Sequence, residues 1–205
     1  MTLGSLIIKV IAALSLTVAF TAAQSQGKVS SKRFQVDSYS VEYPSTWTYK
    51  IQPAPDGSEL HMFTGLQNKN ALPYCHTIQQ PLSAVLAPRV TKMSVKQRQE
   101  FFVNSSDQAL LFSLYNNLAS AQAFHLIHTN PTVIGGAFPA FAADFVFRTP
   151  QGFIHRVRSH YTFWQKAQLS VWCQTVGRTE AEADNEFQRN LSTIQQFVAS
   201  IKIAL

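Results

Sequence analysis

The stretch AFAADFVFRTPQGFIHRVRSHYTFWQKAQLSVWCQTV, residues 140–176, decides the fold. It predicts a meander of three strands, at 140–148, 153–164 and 168–176. Pro150-Gln151-Gly152 suits a three-residue hairpin loop, a type I turn closed by a left-handed glycine. Thr149 then faces Phe153, and the register of the first pair follows. One face carries Phe147–His155, Phe145–Val157, Ala143–Ser159 and Phe141–Tyr161. The other carries Val146–Arg156, Asp144–Arg158 and Ala142–His160. One face is aromatic and the other polar, so pattern and register agree. Asp144 opposite Arg158 adds complementary charges. In the third strand, Leu169, Val171 and Cys173 are assigned to the aromatic core face with Tyr161 and Phe163. Ser170, Trp172 and Gln174 then share the face of Arg158 and His160.

Working outward, Gly177 ends the meander. Thr179 and Glu182 form a capping box, with acidic residues near the helix start, where the macrodipole favours them. Phe187, Leu191, Ile194, Val198 and Ile201 step by four and three, as in a long amphipathic helix packed along one sheet face. Upstream, residues 124–129 and Val133-Ile134 read as two strands separated by Asn130-Pro131. Gly135-Gly136 and Pro139 bend the chain. Ser94 and Gln97 form another capping box, ahead of Phe101 and Phe102. Leu111, Leu114, Tyr115 and Leu118 form a stripe suited to packing on a sheet. Nearer the start, Tyr39, Val41 and Tyr43 alternate with polar residues, as do Trp47, Tyr49 and Ile51. Pro55-Asp56-Gly57 marks a turn before a returning strand at 60–64, and a further strand covers 74–79. The reading is α+β, an antiparallel β-sheet packed by helices, forming a single domain over 34–205.

Residues 1–23 read as a secretory signal peptide. Lys9 supplies the positive charge, Val10 to Phe20 are free of charge, and Thr21-Ala22-Ala23 offer small residues before Gln24. Residues 24–33 are polar and read as a flexible tether. Cleavage would remove Lys9, one of 17 basic residues, and lower the net charge from +6 to +5. Of the 205 residues, 14% are charged and 12% aromatic, which excludes a disordered chain. Cys75 and Cys173 are the two cysteines. In an oxidising compartment a disulfide between them is the default.

Three elements together carry a family resemblance. Tyr39-Ser40-Val41-Glu42-Tyr43-Pro44-Ser45-Thr46-Trp47 resembles the opening Y-x-[IV]-x-YP-x-x-W of the PsbP/DcrB-like superfamily. Gly136-Ala137-Phe138-Pro139-Ala140 is similar to that family's Gly/Pro-Ala bend before a meander. The closing Phe197-Val198-Ala199-Ser200-Ile201-Lys202-Ile203 resembles its C-terminal end. The resemblance implies an α/β/α sandwich over nearly the whole chain after the leader. It also implies a mostly non-enzymatic role, since family members include lumenal photosystem assembly proteins, periplasmic proteins, effector chaperones and a nuclear-import factor. It supplies no active site to carry over, and the cysteine pair is not part of its motif.

No P-loop, dinucleotide fingerprint or G-x-S-x-G elbow occurs. His125-x-x-His128 has metal-like residues, but on a regular strand they point to opposite faces. His155 falls on the aromatic face as a hydrogen-bonded core histidine, and His61 and His76 have no neighbouring carboxylate pattern. Asn104-Ser105-Ser106 and Asn190-Leu191-Ser192 are sequons, relevant in a eukaryotic secretory pathway. No catalytic residue, metal or cofactor is assigned. The sharpest feature is the polar face: Arg156, Arg158, His160 and Trp172, with Asp144, suit a carboxylate, a phosphate or an acidic protein. The alternative for this face is ordinary solvation, or cover by the helix at 94–118, with Arg158 satisfied by Asp144. The expectation is an exported, monomeric, non-enzymatic module, periplasmic or secreted, that binds a protein partner of acidic character. It has no nucleic-acid role and no membrane span after leader removal. A secreted bacterial effector binding a host molecule, and a small hydrolytic enzyme, are the alternatives.

Overall fold

The structure, a computed structural model, describes residues 30–54, 57–65, 73–82, 87–104, 123–164 and 167–204. The first strands are β1 (Ser31–Gln35), β2 (Tyr39–Pro44), β3 (Thr48–Pro53), β4 (Glu59–Thr64) and β5 (Tyr74–Pro81). Two helices follow, α1 (Ala87–Val90) and α2 (Val95–Asn104). The meander region holds β6 (Ala123–Ile134), β7 (Phe138–Arg148), β8 (Ile154–Trp164) and β9 (Ala167–Gly177). The chain closes with α3 (Glu180–Ser200) and β10 (Lys202–Ile203). The leader at 1–23 and the stripe at 111–118 lie outside the described residues.

The decisive hairpin forms as its turn chemistry demands. Gly152 adopts φ 85° and donates its N–H to the Thr149 carbonyl at 2.9 Å, while Thr149 N–H reaches Phe153 O at 2.8 Å. Every pair read for β7 and β8 is present, from Phe141↔Tyr161 to Phe147↔His155. Seven antiparallel strands line up as β3-β4-β5-β9-β8-β7-β6, and β1, β2 and β10 make a second, three-stranded sheet. The fold is α+β, an antiparallel sheet packed by helices.

Both faces of the large sheet are buried. One packs Phe141, Phe145, Val157 and Phe163 under Phe102 of α2. The other packs Leu169, Val171, Cys173 and Phe63 under Phe187, Ile194 and Phe197 of α3, with Tyr39 and Val41 of β2 beside them. The first capping box is complete, and the second is made on one side, with the Glu182 carboxylate accepting from Arg178 N–H instead of the Thr179 N–H. Gln97 N–H donates to Ser94 Oγ at 3.3 Å, and Ser94 N–H to Gln97 Oε1 at 2.8 Å. Glu182 N–H donates to Thr179 Oγ1 at 3.2 Å.

Three expectations need correction. Ser31–Arg33, assigned to the tether for their polarity, pair with β2, because Phe34 anchors the strand against Tyr49, His61 and Phe63. The two short strands before the bend are one, β6, which tolerates Pro131 at the edge of the sheet. The face assigned to Leu169, Val171 and Cys173 is reversed. Trp164 pairs with Ala167, so Val171 lies opposite His160, and Trp172 opposite Ser159.

Cys75 and Cys173 lie directly opposite each other on β5 and β9 and form a disulfide spanning 98 residues, with both side chains buried. Closing that loop constrains the unfolded chain by at most about 4–5 kcal/mol in the chain-entropy model. Cys75→Ala with Cys173→Ala should lower the urea midpoint accordingly. An unchanged midpoint would show that the bond contributes nothing to stability.

Candidate functional site

Asp144 of β7 is the centre of the buried polar face. Arg158 on β8 grips it bidentately, Nε to Oδ1 at 2.8 Å and Nη2 to Oδ2 at 2.7 Å. Arg156, two residues earlier on the same strand face, reaches Oδ2 through Nη2 at 3.3 Å. Its Nε reaches Asp184 of α3, also at 3.3 Å, and its Nη1 donates to the Val157 carbonyl at 2.9 Å. The Phe187 ring of α3 lies over both cations, 4.6 Å from the Arg156 guanidinium carbon and 5.7 Å from that of Arg158. The face is therefore not an ordinary solvated one, and the described part of the earlier helix, α2, packs on the opposite side of the sheet. The closing helix covers it, and cation–π contact lets an aromatic residue pack on charge.

Burial alone would push the Asp144 carboxyl up. The hydrogen bonds and charges of Arg158 and Arg156 outweigh it and hold the group below its ordinary value. Asp144's hydrogen bond raises Arg158 in turn. His160, one step further along β8, is 7% exposed, and its Nδ1 is buried with no hydrogen-bond partner among the described residues. Desolvation, reinforced by the Arg158 charge, pushes its pKa down to about 4, so the ring is neutral at neutral pH.

Past Asp144 the helix and sheet separate into a cleft of about 310 Å³. Arg158 and His160 line it from β8, His128, Asn130 and Thr132 from β6, and Ile194, Gln195, Val198 and Ala199 from α3. A register shift between Leu126 and His128 builds the β6 wall: His125 faces Val146 and His128 faces Asp144. Val146 and Asp144 share a face, so the bulge brings both histidines to the same side, contrary to the regular-strand expectation. His128 Nδ1 stands 3.9 Å from Asp144 Oδ2. Among the described residues, no group of three or more His, Cys, Asp or Glu is placed to hold a metal ion.

The five residues of the polar set do not all meet. Asp144, Arg156, Arg158 and His160 share the α3 face. Trp172 lies on the other, stacked on His76 at 5.5 Å and edge-on to Phe145 at 5.4 Å. Gln174 moves with it and pairs with His155 Nδ1 at 2.8 Å, while His155 stacks on Phe147 at 4.6 Å. His61 does have a carboxylate neighbour. Glu59 Oε2 is 3.8 Å from its Nε2, and the Tyr49 hydroxyl 3.0 Å from its Nδ1. The i, i+2 spacing of Glu59 and His61 on one strand face was the available signal. His128 was visible in His125-x-x-His128 but not its facing, and Asn130 and Gln195 had no signal, since the bulge and the path of α3 select them.

No family model and no curated protein matches the chain. Solved structures do. The solution structure of cyanobacterial PsbP from Synechocystis sp. PCC 6803 matches at a TM-score of 0.52 and 11% identity, over 90% of this chain and 99% of that one. LpqN of Mycobacterium tuberculosis, described as involved in cell envelope biogenesis, matches at 0.47 and 11%, over 85% and 92%. A Bacteroides thetaiotaomicron structure matches at 0.45 and 12%, over 85% and 48%.

Two outcomes test the electrostatics. Asp144→Asn leaves the buried Arg156 and the half-buried Arg158 short of a counter-charge and should cost about 3 kcal/mol in urea unfolding. Replacing Asp144, Arg156 and Arg158 together by Leu or Met should recover much of that loss, because the desolvation penalty goes with the charges. The second concerns pH. His160 and His76 both fall from 6.5 to about 4 on folding, by desolvation. The unfolded chain therefore binds more protons between those values, so their contribution is complete above 6.5 and is lost as pH falls toward 4. Asp144 adds a loss only below its unfolded value near 3.9. The urea midpoint should drop between pH 6.5 and 4, and less steeply in His160→Gln. An identical slope in that variant would contradict the assignment.

Proposed function

We propose that the chain is an exported, non-enzymatic binding module whose working surface is the cleft between α3 and the β6–β8 face, and that its partner is a protein presenting acidic groups there. The observation that carries this reading is the cleft itself. A guanidinium and two imidazoles line it beside amide and hydroxyl groups, donors suited to recognising an anion. The leader-like segment 1–23 and the buried Cys75–Cys173 disulfide support an extracytoplasmic location. The PsbP-like fold is compatible with such a role, though a fold alone does not assign one.

The docking surface differs from the linear polar patch seen in the sequence. Arg156 and Asp144 are buried and hold α3 in place, and Trp172 belongs to the opposite core. The accessible part of the set is Arg158 with its neighbours on β6 and α3.

The test combines fractionation with capture. The mature chain should be found outside the cytoplasm, with a mass showing removal of 1–23 and an intact disulfide. Affinity capture from its native host should retain an acidic protein, and Ala199→Trp at the exposed rim of the cleft should lose it. Cytoplasmic retention with free thiols would overturn export. Capture unaffected by Ala199→Trp would move the docking surface elsewhere.

A further inference from the structure

We infer that the cleft takes a carboxylate carried on a short aliphatic stem. The inference rests on the reading of the cleft as the docking site and names the chemistry that site accepts. Its polar end is built by Arg158, His160 and His128. Two guanidinium groups, Arg156 and Arg158, share the buried Asp144 carboxylate, and Asp184 of α3 pairs with Arg156 from the other side at 3.3 Å, so the cluster is balanced and it is Arg158 that faces the cleft. Asp144 engages two of the five N–H donors of Arg158, which leaves three outside that pair.

His160 provides the second, independent sign. Its Nδ1 is buried and has no hydrogen-bond partner among the described residues, yet the ring lines a polar cavity. An unmet buried polar atom costs about 1–3 kcal/mol, a cost that a ligand oxygen would remove. With its proton on Nδ1, a neutral ring donates to an anion without adding charge of its own.

The other lining groups set the rest of the ligand. Ile194 and Val198, both buried, form an apolar floor, and Val133 and Ala199 an exposed apolar rim. That wall suits methylene groups and not a second charge. A phosphate dianion would crowd Asp144, since like charges in one site oppose ionisation. A monoanionic carboxylate meets less of that repulsion. The source is either a free short-chain acid or a glutamate side chain on a polypeptide partner.

Calorimetric titration of the processed, oxidised chain decides. Butyrate should bind, butyramide should bind about tenfold more weakly because it lacks the charge-assisted bonds, and inorganic phosphate should not compete. Ala199→Trp should abolish the butyrate heat. Tighter binding of N-acetyl-glutamate amide than of butyrate would support the inference and identify a polypeptide source, and the reverse order would support it with a free acid. Equal binding of butyrate and butyramide, preference for phosphate, or no binding of any carboxylate overturns it. If Ala199→Trp does not fold, amide NMR of the unsubstituted chain replaces it. Butyrate should then shift the Gly136 and His160 signals, and shifts confined elsewhere overturn the inference. Partner capture that Ala199→Trp abolishes, alongside equal binding of butyrate and butyramide, would keep the docking surface and reject the carboxylate. Butyrate binding without any captured protein would do the opposite.

Discussion

A carboxylate buried between two guanidinium groups governs this structure. Asp144 lies in the middle of β7, on a sheet face that a helix must cover, and neither Arg156 nor Arg158 can be buried there without it. Isolated charges in such a site would cost several kcal/mol each. Paired, they permit α3 to lie on the sheet, with Phe187 over both cations and Asp184 closing on Arg156 from the helix side. Asp144 is thus the condition on which the two arginines can lie under α3.

That two-sidedness explains which parts of the sequence could be read. The β7–β8 hairpin was legible because two independent signals agreed: a loop whose geometry needs a left-handed glycine, and a charge pair that must face across the strands. The next strand had only hydrophobicity to place it. Leu169, Val171 and Cys173 are as apolar as a core face requires, and they are in a core, but under α3. When both faces are buried, alternation no longer says which residue faces where. The connection was the better guide. Only two residues separate Trp164 from Ala167, which fixes their pairing and carries Trp172 to the aromatic side.

The candidate site was half legible for the same reason. Arg158, His160 and Asp144 follow from hairpin register, and the structure brings them together. His128 follows from a bulge that skips Ile127 in β6, and no residue pattern announces it. Gln195 and Ala199 depend on how far α3 runs along the sheet, a tertiary fact. The edge strand β1 was hidden by its own polarity, since Phe34 is its one apolar residue.

The cleft owes its shape to how α3 is held. Near its start, the Thr175 hydroxyl donates to the Ala183 carbonyl at 2.7 Å, and Gly177 leaves no room for a Cβ against the Ala183 nitrogen. Near its end, Gly135 adopts φ 61°, and a Cβ there would stand 2.0 Å from the Ile201 carbonyl oxygen. Ser200 Oγ meanwhile accepts from Glu42 N–H at 2.9 Å. A helix fixed at both termini and by Phe187 within has little freedom to close over the gap left beside Ile194 and Gln195. The space is therefore a consequence of packing elsewhere, present before any ligand arrives. A preformed site keeps the reorganisation cost of binding low.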